Sequence, residues 1–401
     1  ALSAKTASDY FVAGRQISLW VFILAATATS FSGWTFMGHP GLIYRDGFQY
    51  AYASFYAITI PFTGVLFLKR QWMLGKRFGF ITPGEMMAYY FKSDTVRLLV
   101  VLVALVFSVP YLGVQLRASG FLFNVLTDGM LNVNVGMWLL SAVVVIYVAS
   151  GGLRAVAYVD SAQAILLALG IVVIGIIAMN AVGGFAALNE RIAALMAIGP
   201  DGKALFGKTT PAGYSAYIAI PGVIQFGAGL GTETAPVGGA WTGVMVLTYM
   251  FALMGIQSAP AFSMWAFGNK SPAPFAPQQV WASSLGIGFI LMVFTAMQGL
   301  GSHFLGADTA FMAAHPDLVN NVMGAGLQGK DIMESAGKQG MLVPQLIYLL
   351  TDTAPWLVGL LSVCALAAMQ STGAAYMSTA SGMLTRDIVK RFIKKDMSET
   401  G

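Results

Sequence analysis

Residues 24–44 read LAATATSFSGWTFMGHPGLIY, and the fold turns on how this stretch is understood. It lies within an uncharged apolar run, 18–44, that is long enough to cross a bilayer, which takes about 20 residues as a helix. Yet Thr27, Thr29, Ser30, Ser32 and Thr35 crowd the centre of that run, with Gly33, Gly38, Pro40 and Gly41 close by. Ser, Thr and Gly are poorer helix formers than Ala or Leu, and a helix that opens in lipid frees backbone groups that must find partners. Two readings stand side by side: a tight helix contact made by small residues, or a break whose freed carbonyls hold a cation.

The rest of the chain has the solvent preference this stretch implies. Of 401 residues 57% are hydrophobic and 10% charged, against about 25% charged in soluble domains, and the mean hydropathy is +0.72. Such a surface faces lipid, and the chain reads as an all-α polytopic membrane protein. One cysteine, Cys364, excludes a disulfide framework, and the three histidines, His39, His303 and His315, are too scattered for a His/Cys metal centre. The net charge of +5 records loop orientation rather than nucleic-acid binding. There is no HExxH, no GxSxG and no paired carboxylate within a span, so the sequence does not read as an enzyme.

Uncharged apolar stretches predict eight spans: 18–44, 48–68, 98–127, 135–150, 161–182, 241–267, 281–306 and 355–385. With the N-terminal segment inside, fifteen of the 22 basic residues fall in inside segments and six outside, as the positive-inside rule expects. Arg117, in YLGVQLRASG (111–120), is the remaining one and the only charge assigned to a span. It either faces the bundle interior or, on a short third span, snorkels to the outer interface; Gln115 shares the ambiguity. The opening residues lack an initiator Met and a signal-peptide pattern, and read as the start of a stretch partway along a longer protein.

Two further spans carry polar chemistry. In the eighth, CALAAMQSTGAAYMSTASGMLTRD (364–387), Ala368, Ser371 and Thr372 stand at i, i+3 and i+4 and share one helix face. Uncharged hard oxygens suit a monovalent cation, whereas a divalent one would call for carboxylates; Na+ is the expected ion. The competing reading has both hydroxyls bonding back to carbonyls four residues earlier. In the sixth, MGIQSAPAF (254–262), Gly255, Gln257, Ser258 and Pro260 interrupt the helix. Interruptions at corresponding places in two halves point to a transporter's central site. The first and sixth spans correspond if the repeat has five helices, and five being odd, the second copy is inverted.

The segments SDYFVAGR (8–15), SFSGWTFMGHPGLIYRDG (30–47), ITPGEMMAYYF (81–91), SGGLRAVAYVDSAQAILL (150–167) and LAAMQSTGAAYMSTASGMLTRDIVKRF (366–392) together resemble the sodium:solute symporter family. The resemblance implies a five-plus-five inverted-repeat core with broken first and sixth helices. Residues 1–182 would then be the first repeat, 183–240 an external loop, 241–392 a partial second repeat and 393–401 a cytoplasmic tail. The helix before the core and the last two core helices would lie outside this sequence. It also implies a sodium site from the carbonyls of Ala28, Phe31 and Ala368 and the hydroxyls of Ser371 and Thr372, with Ser32, Gly33 and Pro260 beside the solute. Gln115, Arg117, Gln257 and Ser258 complete the candidate solute site. The sequence departs from the proline symporters at Ala252 and Ile256, where they present aromatics, and at Ser30, where they have an aspartate.

The function expected is sodium-coupled symport of a small organic solute by alternating access, with no cofactor. An amino acid or monocarboxylate is favoured because Arg117 could neutralise a carboxylate. The setting expected is the lipid bilayer of the bacterial inner (plasma) membrane. A transporter-like sensory domain ahead of a histidine kinase is the alternative.

Overall fold

In the computed structural model the described residues are 6–46, 56–194, 251, 254–316 and 339–398. All their regular structure is helical. α1 (Ala7–Val12) starts on a capping box in which Thr6 and Asp9 satisfy each other's backbone N–H groups. α2 (Leu19–Ser30) and α3 (His39–Asp46) flank a break at Phe31–Gly33 and a π-helical turn, Trp34–Gly38. The axis bends by 55° there. α4 (Tyr56–Phe78), α5 (Pro83–Phe91), α6 (Asp94–Leu126), α7 (Val133–Val182) and α8 (Phe185–Ala194) follow. A short 3-10 turn, Gly255–Ser258, precedes α9 (Pro260–Gly268). Then come α10 (Phe275–Ser302), α11 (Thr309–Ala314), α12 (Leu342–Tyr348) and α13 (Pro355–Ile393).

Among the described residues α6, α7, α10 and α13 are each long and apolar enough to cross a membrane, and the bent pair at the α2–α3 break forms one more such unit. α7 covers what the sequence divides into two spans, 135–150 and 161–182. Its limbs meet at Gly152, where φ is 57° and ψ −160°, a region essentially reserved for glycine. A Cβ at that position would lie 2.4 Å from the Tyr10 carbonyl oxygen, so α1 packs against the kink only because no side chain intervenes. The kink also corrects a boundary. The second limb begins at Leu153, eight residues ahead of the expected span, so Asp160 lies on the helix and not in the inside loop to which the sequence assigns it. Residues 195–250, with most of the expected external loop and the start of the sixth span, lie outside the described residues, as does Ala252.

α7 is the hub, packing on α2, α6, α10 and α13. Phe22, Phe31, Phe36, Phe262, Trp265, Ile171 and Leu291 are fully buried between these helices. The outer surface is as apolar as the inside: Leu99, Leu102, Val106, Phe107 and Val109 of α6 are exposed, as lipid-facing residues should be. Trp20, Trp138 and Trp356, each near a helix start, are also exposed, in keeping with the aromatic belts of membrane proteins.

Candidate cation and solute site

At the α2–α3 break the freed backbone groups of Ala28, Thr29, Ser32 and Gly33 can each be followed to a partner. Phe31 is extended (φ −114°, ψ 103°) and its N–H still reaches the Thr27 carbonyl. The next three amides leave the helical ladder, with Trp34 N–H donating to Ser32 Oγ at 3.2 Å. Ser32 N–H donates to Thr35 Oγ1 at 3.3 Å, and Gly33 N–H to Gln115 Oε1 of α6 at 2.7 Å. Gln115 is itself held by a bond from its Nε2 to the Tyr111 carbonyl. The carbonyls of Ala28 and Thr29 are among those thereby released from the amides four residues on. Buried backbone groups are almost always paired, and here the pairing comes from α13: Ser371 Oγ donates to the Ala28 carbonyl at 3.1 Å and Thr372 Oγ1 to the Thr29 carbonyl at 3.3 Å.

The two polar clusters therefore behave differently. Thr27, Thr29 and Ser30 bond back to the carbonyls of Ile23, Ala25 and Ala26, which is the ligand-free use of a hydroxyl. Ser371 makes one local contact, to Ala368 O at 3.2 Å, but its other bond and that of Thr372 cross to another helix. Ala28, Phe31, Ala368, Ser371 and Thr372 are all buried. Uncharged oxygens from two helices meet here at the point where one helix is broken, a donor set of the kind a monovalent cation takes.

Ser32 and Gly33 lie at the same break, and Gln115 is brought to them directly. Gln257 is fully buried in the turn before α9, whereas Ser258 beside it is exposed and Pro260 half-buried. Arg117 is not brought to the site. It is exposed on α6 with its guanidinium 5.3 Å from the centroid of Phe121, while Gln115 points inward two residues earlier. Ile256, at a position where the proline symporters have an aromatic, is half-buried against the core. Tyr111 and Tyr376 stack edge to face, centroids 5.0 Å apart, and supply aromatic surface that position-by-position reading did not find.

The sequence also passed over Asp160. Its carboxylate is fully buried, and neither oxygen has a hydrogen-bond donor in good geometry. The hydroxyl of Thr29, whose carbonyl takes the Thr372 bond, is its neighbour. A buried carboxyl in this state either holds a proton or pairs with a cation. The available signal was a single acid between the apolar runs AVAYV and AQAILLALG, hidden because the expected span began one residue later.

Charge is otherwise gathered at the end of the bundle where α5, α6 and α13 meet. Arg97 pairs with the buried Asp387 at 2.9 Å, Arg386 with Glu85 at 3.0 Å, and Arg391 with Asp94 at 2.8 Å. Arg97, Arg386, Glu85, Arg391 and Asp94 border a cavity of about 980 Å³ that also touches Phe80, Tyr89 and Tyr90.

The chain resembles known proteins along most of its length. The family model described as sodium:solute symporter family matches residues 10–400. The chain is 27% identical over 198 residues to the high-affinity proline transporter PutP of Bacillus subtilis, covering 48% of this chain and 41% of that protein. It is 29% identical over 188 residues to sodium-coupled monocarboxylate transporter 2 of Mus musculus, covering 46% and 29%. Each alignment thus spans less than half of the relative's length. Among solved structures, the substrate-bound outward-open state of a Na+-coupled sialic acid symporter superposes with a TM-score of 0.69 at 19% identity, covering 98% of this chain and 72% of that one. At that identity the likeness concerns the fold alone. These proteins are transporters and not enzymes, and neither they nor the site favour the sensory-domain alternative.

Proposed function

Because the chain belongs to the sodium:solute symporter family, we propose that it carries a small organic solute across the bacterial inner membrane together with Na+, by alternating access. The observation that carries this reading is the pair of hydroxyls, Ser371 and Thr372, crossing from α13 to the carbonyls released at the α2 break. These hydroxyls donate to the carbonyls, and the carbonyls of Ala28, Phe31 and Ala368 with the two hydroxyl oxygens would hold the Na+. The α2–α3 and α9 breaks are then the paired discontinuities of a five-plus-five inverted repeat, with 1–182 as the first copy and 241–392 as part of the second. Asp160 adds the negative charge that this otherwise neutral oxygen set lacks.

One charge crossing 100 mV releases about 2.3 kcal/mol, so the ion supplies work to the solute only if the two ligands bind cooperatively. That coupling is reciprocal: sodium should tighten solute and solute should tighten sodium. The solute is an amino acid or a monocarboxylate, in keeping with what two relatives are named for. Ser32, Gly33, Gln115 and Gln257 are its proposed polar contacts, and Arg117, exposed on α6, is not among them. Uptake of labelled solutes into proteoliposomes under an inward Na+ or K+ gradient tests the reading. The double variant Ser371→Ala, Thr372→Val should lose sodium dependence while remaining folded. Uptake that ignores sodium for every solute, or a double variant with unchanged sodium half-saturation, would overturn it.

A further inference from the structure

Three glutamines, none an obvious part of the sodium site, are fully buried where the α9 break, α10 and α2 meet: Gln257, Gln278 and Gln279. They form a chain. Gln278 Nε2 donates to Thr27 Oγ1 at 3.2 Å and to Ser283 Oγ at 2.8 Å. Gln279 Nε2 donates to the amide oxygen of Gln278 and, at 3.2 Å, to that of Gln257. One end of the chain is thus Thr27, the residue before the sodium-site carbonyl of Ala28. At the other end two groups are left over: Gln257 Nε2 and Gln279 Oε1 are buried without a partner.

The remainder does not depend on which way the amides are drawn. Turning all three over leaves Gln257 with a free acceptor and Gln279 with a free donor, so either orientation leaves one donor and one acceptor on the same two residues. Each unmade bond to a buried polar group costs about 1–3 kcal/mol, and a protein carries such groups chiefly where something else completes them. Nor has Gln279 room to turn elsewhere, since a Cβ at Gly64 of α4 would lie 2.1 Å from its Oε1. Glycine at 64 is what admits the amide.

We propose that Gln257 and Gln279 are the specificity-determining pair of the solute site and that Gln278 is a positioning residue linking them to the sodium helix. The pair offers one donor, one acceptor and no formal charge, and it therefore selects a net-neutral solute whose polar end both accepts and donates. A zwitterionic amino acid meets this description and a monocarboxylate, which only accepts and carries a net charge, does not. Occupancy of the pair fixes Gln279, hence Gln278, hence the Thr27 hydroxyl one residue from Ala28. The inference rests on the symport reading above and narrows its solute.

The test compares zwitterionic probes, labelled proline and alanine, with propionate, which is alanine without its ammonium group, in proteoliposomes. Sodium binding is measured in parallel as 22Na+ bound to the purified protein without solute. The wild type should take up at least one of the zwitterions with sodium, and propionate at least tenfold less well. Gln279→Leu and the size-conserving Gln279→Glu should each raise the zwitterion KM tenfold or more while 22Na+ binding stays within threefold. Gln278→Leu should leave both single-ligand affinities within threefold but remove the tightening of one ligand by the other. Sodium-coupled uptake that favours propionate, or a folded Gln279→Glu protein with unchanged KM, would overturn the pair and leave symport standing. Uptake of every probe without regard to sodium would overturn both.

Discussion

The helix break is held open by one side chain from another helix, and its removal should be felt at the ion. Gly33 N–H donates to Gln115 Oε1 at 2.7 Å in a fully buried setting. Gln115→Met keeps the volume and removes the acceptor, leaving a buried N–H unpaired at a cost of about 1–3 kcal/mol. The unpaired amide can be satisfied by returning to the Thr29 carbonyl, which re-forms the helix and withdraws the carbonyls that Thr372 and Ser371 now reach. Because a tenfold change corresponds to about 1.4 kcal/mol, the sodium affinity of Gln115→Met should fall about 5- to 150-fold. Gln115→Glu keeps an acceptor at the same reach and should recover most of the loss. The assay is 22Na+ binding to detergent-purified protein, with size-exclusion and thermal-melting controls for folding. A well-folded Gln115→Met protein with wild-type sodium affinity would refute the reasoning that this glutamine maintains the break.

Three other outcomes are expected. Asp160→Asn replaces a buried carboxyl whose oxygens have no partner, so it should weaken 22Na+ binding at least tenfold while the melting temperature holds or rises; unchanged binding would count against Asp160 as part of the cation site. Gly152→Ala forces a Cβ into a glycine-only backbone region and against the Tyr10 carbonyl, which should cost about 3 kcal/mol and show as a lowered melting temperature; an unchanged melt would mean the kink tolerates a side chain. At the charged end, Asp94→Ala breaks an exposed pair and should leave the melting temperature nearly unchanged. Asp387→Ala breaks one whose acid is buried and should cost about 3–5 kcal/mol. Thermal melts of the two variants should separate accordingly.

Much of the site could be read from residue types alone, because a hydroxyl in the middle of a lipid-spanning segment has few uses. Thr27 to Thr35 and Ser371–Thr372 were visible for that reason, and the i, i+3, i+4 spacing already put Ala368 with them. Which hydroxyls look outward was not visible. Thr29 and Thr372 are the same residue type in similar surroundings, yet one bonds back along its helix and the other crosses to its neighbour. Arg117 shows the converse limit: its charge drew attention, but a difference of two residues along α6 turns it away from the face that Gln115 occupies. Asp160 escaped because hydropathy marks where a charge-free run begins, and the helical limb begins at Leu153 instead.

By itself the sequence determined the solvent, the helical class and the two polar stretches at which helices open, since these follow from transfer free energy and local backbone preference. The partners of the freed groups were decided only by the tertiary structure. Gln115 lies 82 residues from Gly33, Ser371 lies 343 from Ala28, and Gln278 lies 251 from Thr27. A broken helix in lipid must have its amides and carbonyls satisfied, but the requirement names no residue. The packing of α6, α10 and α13 around α2 selects which side chains meet it.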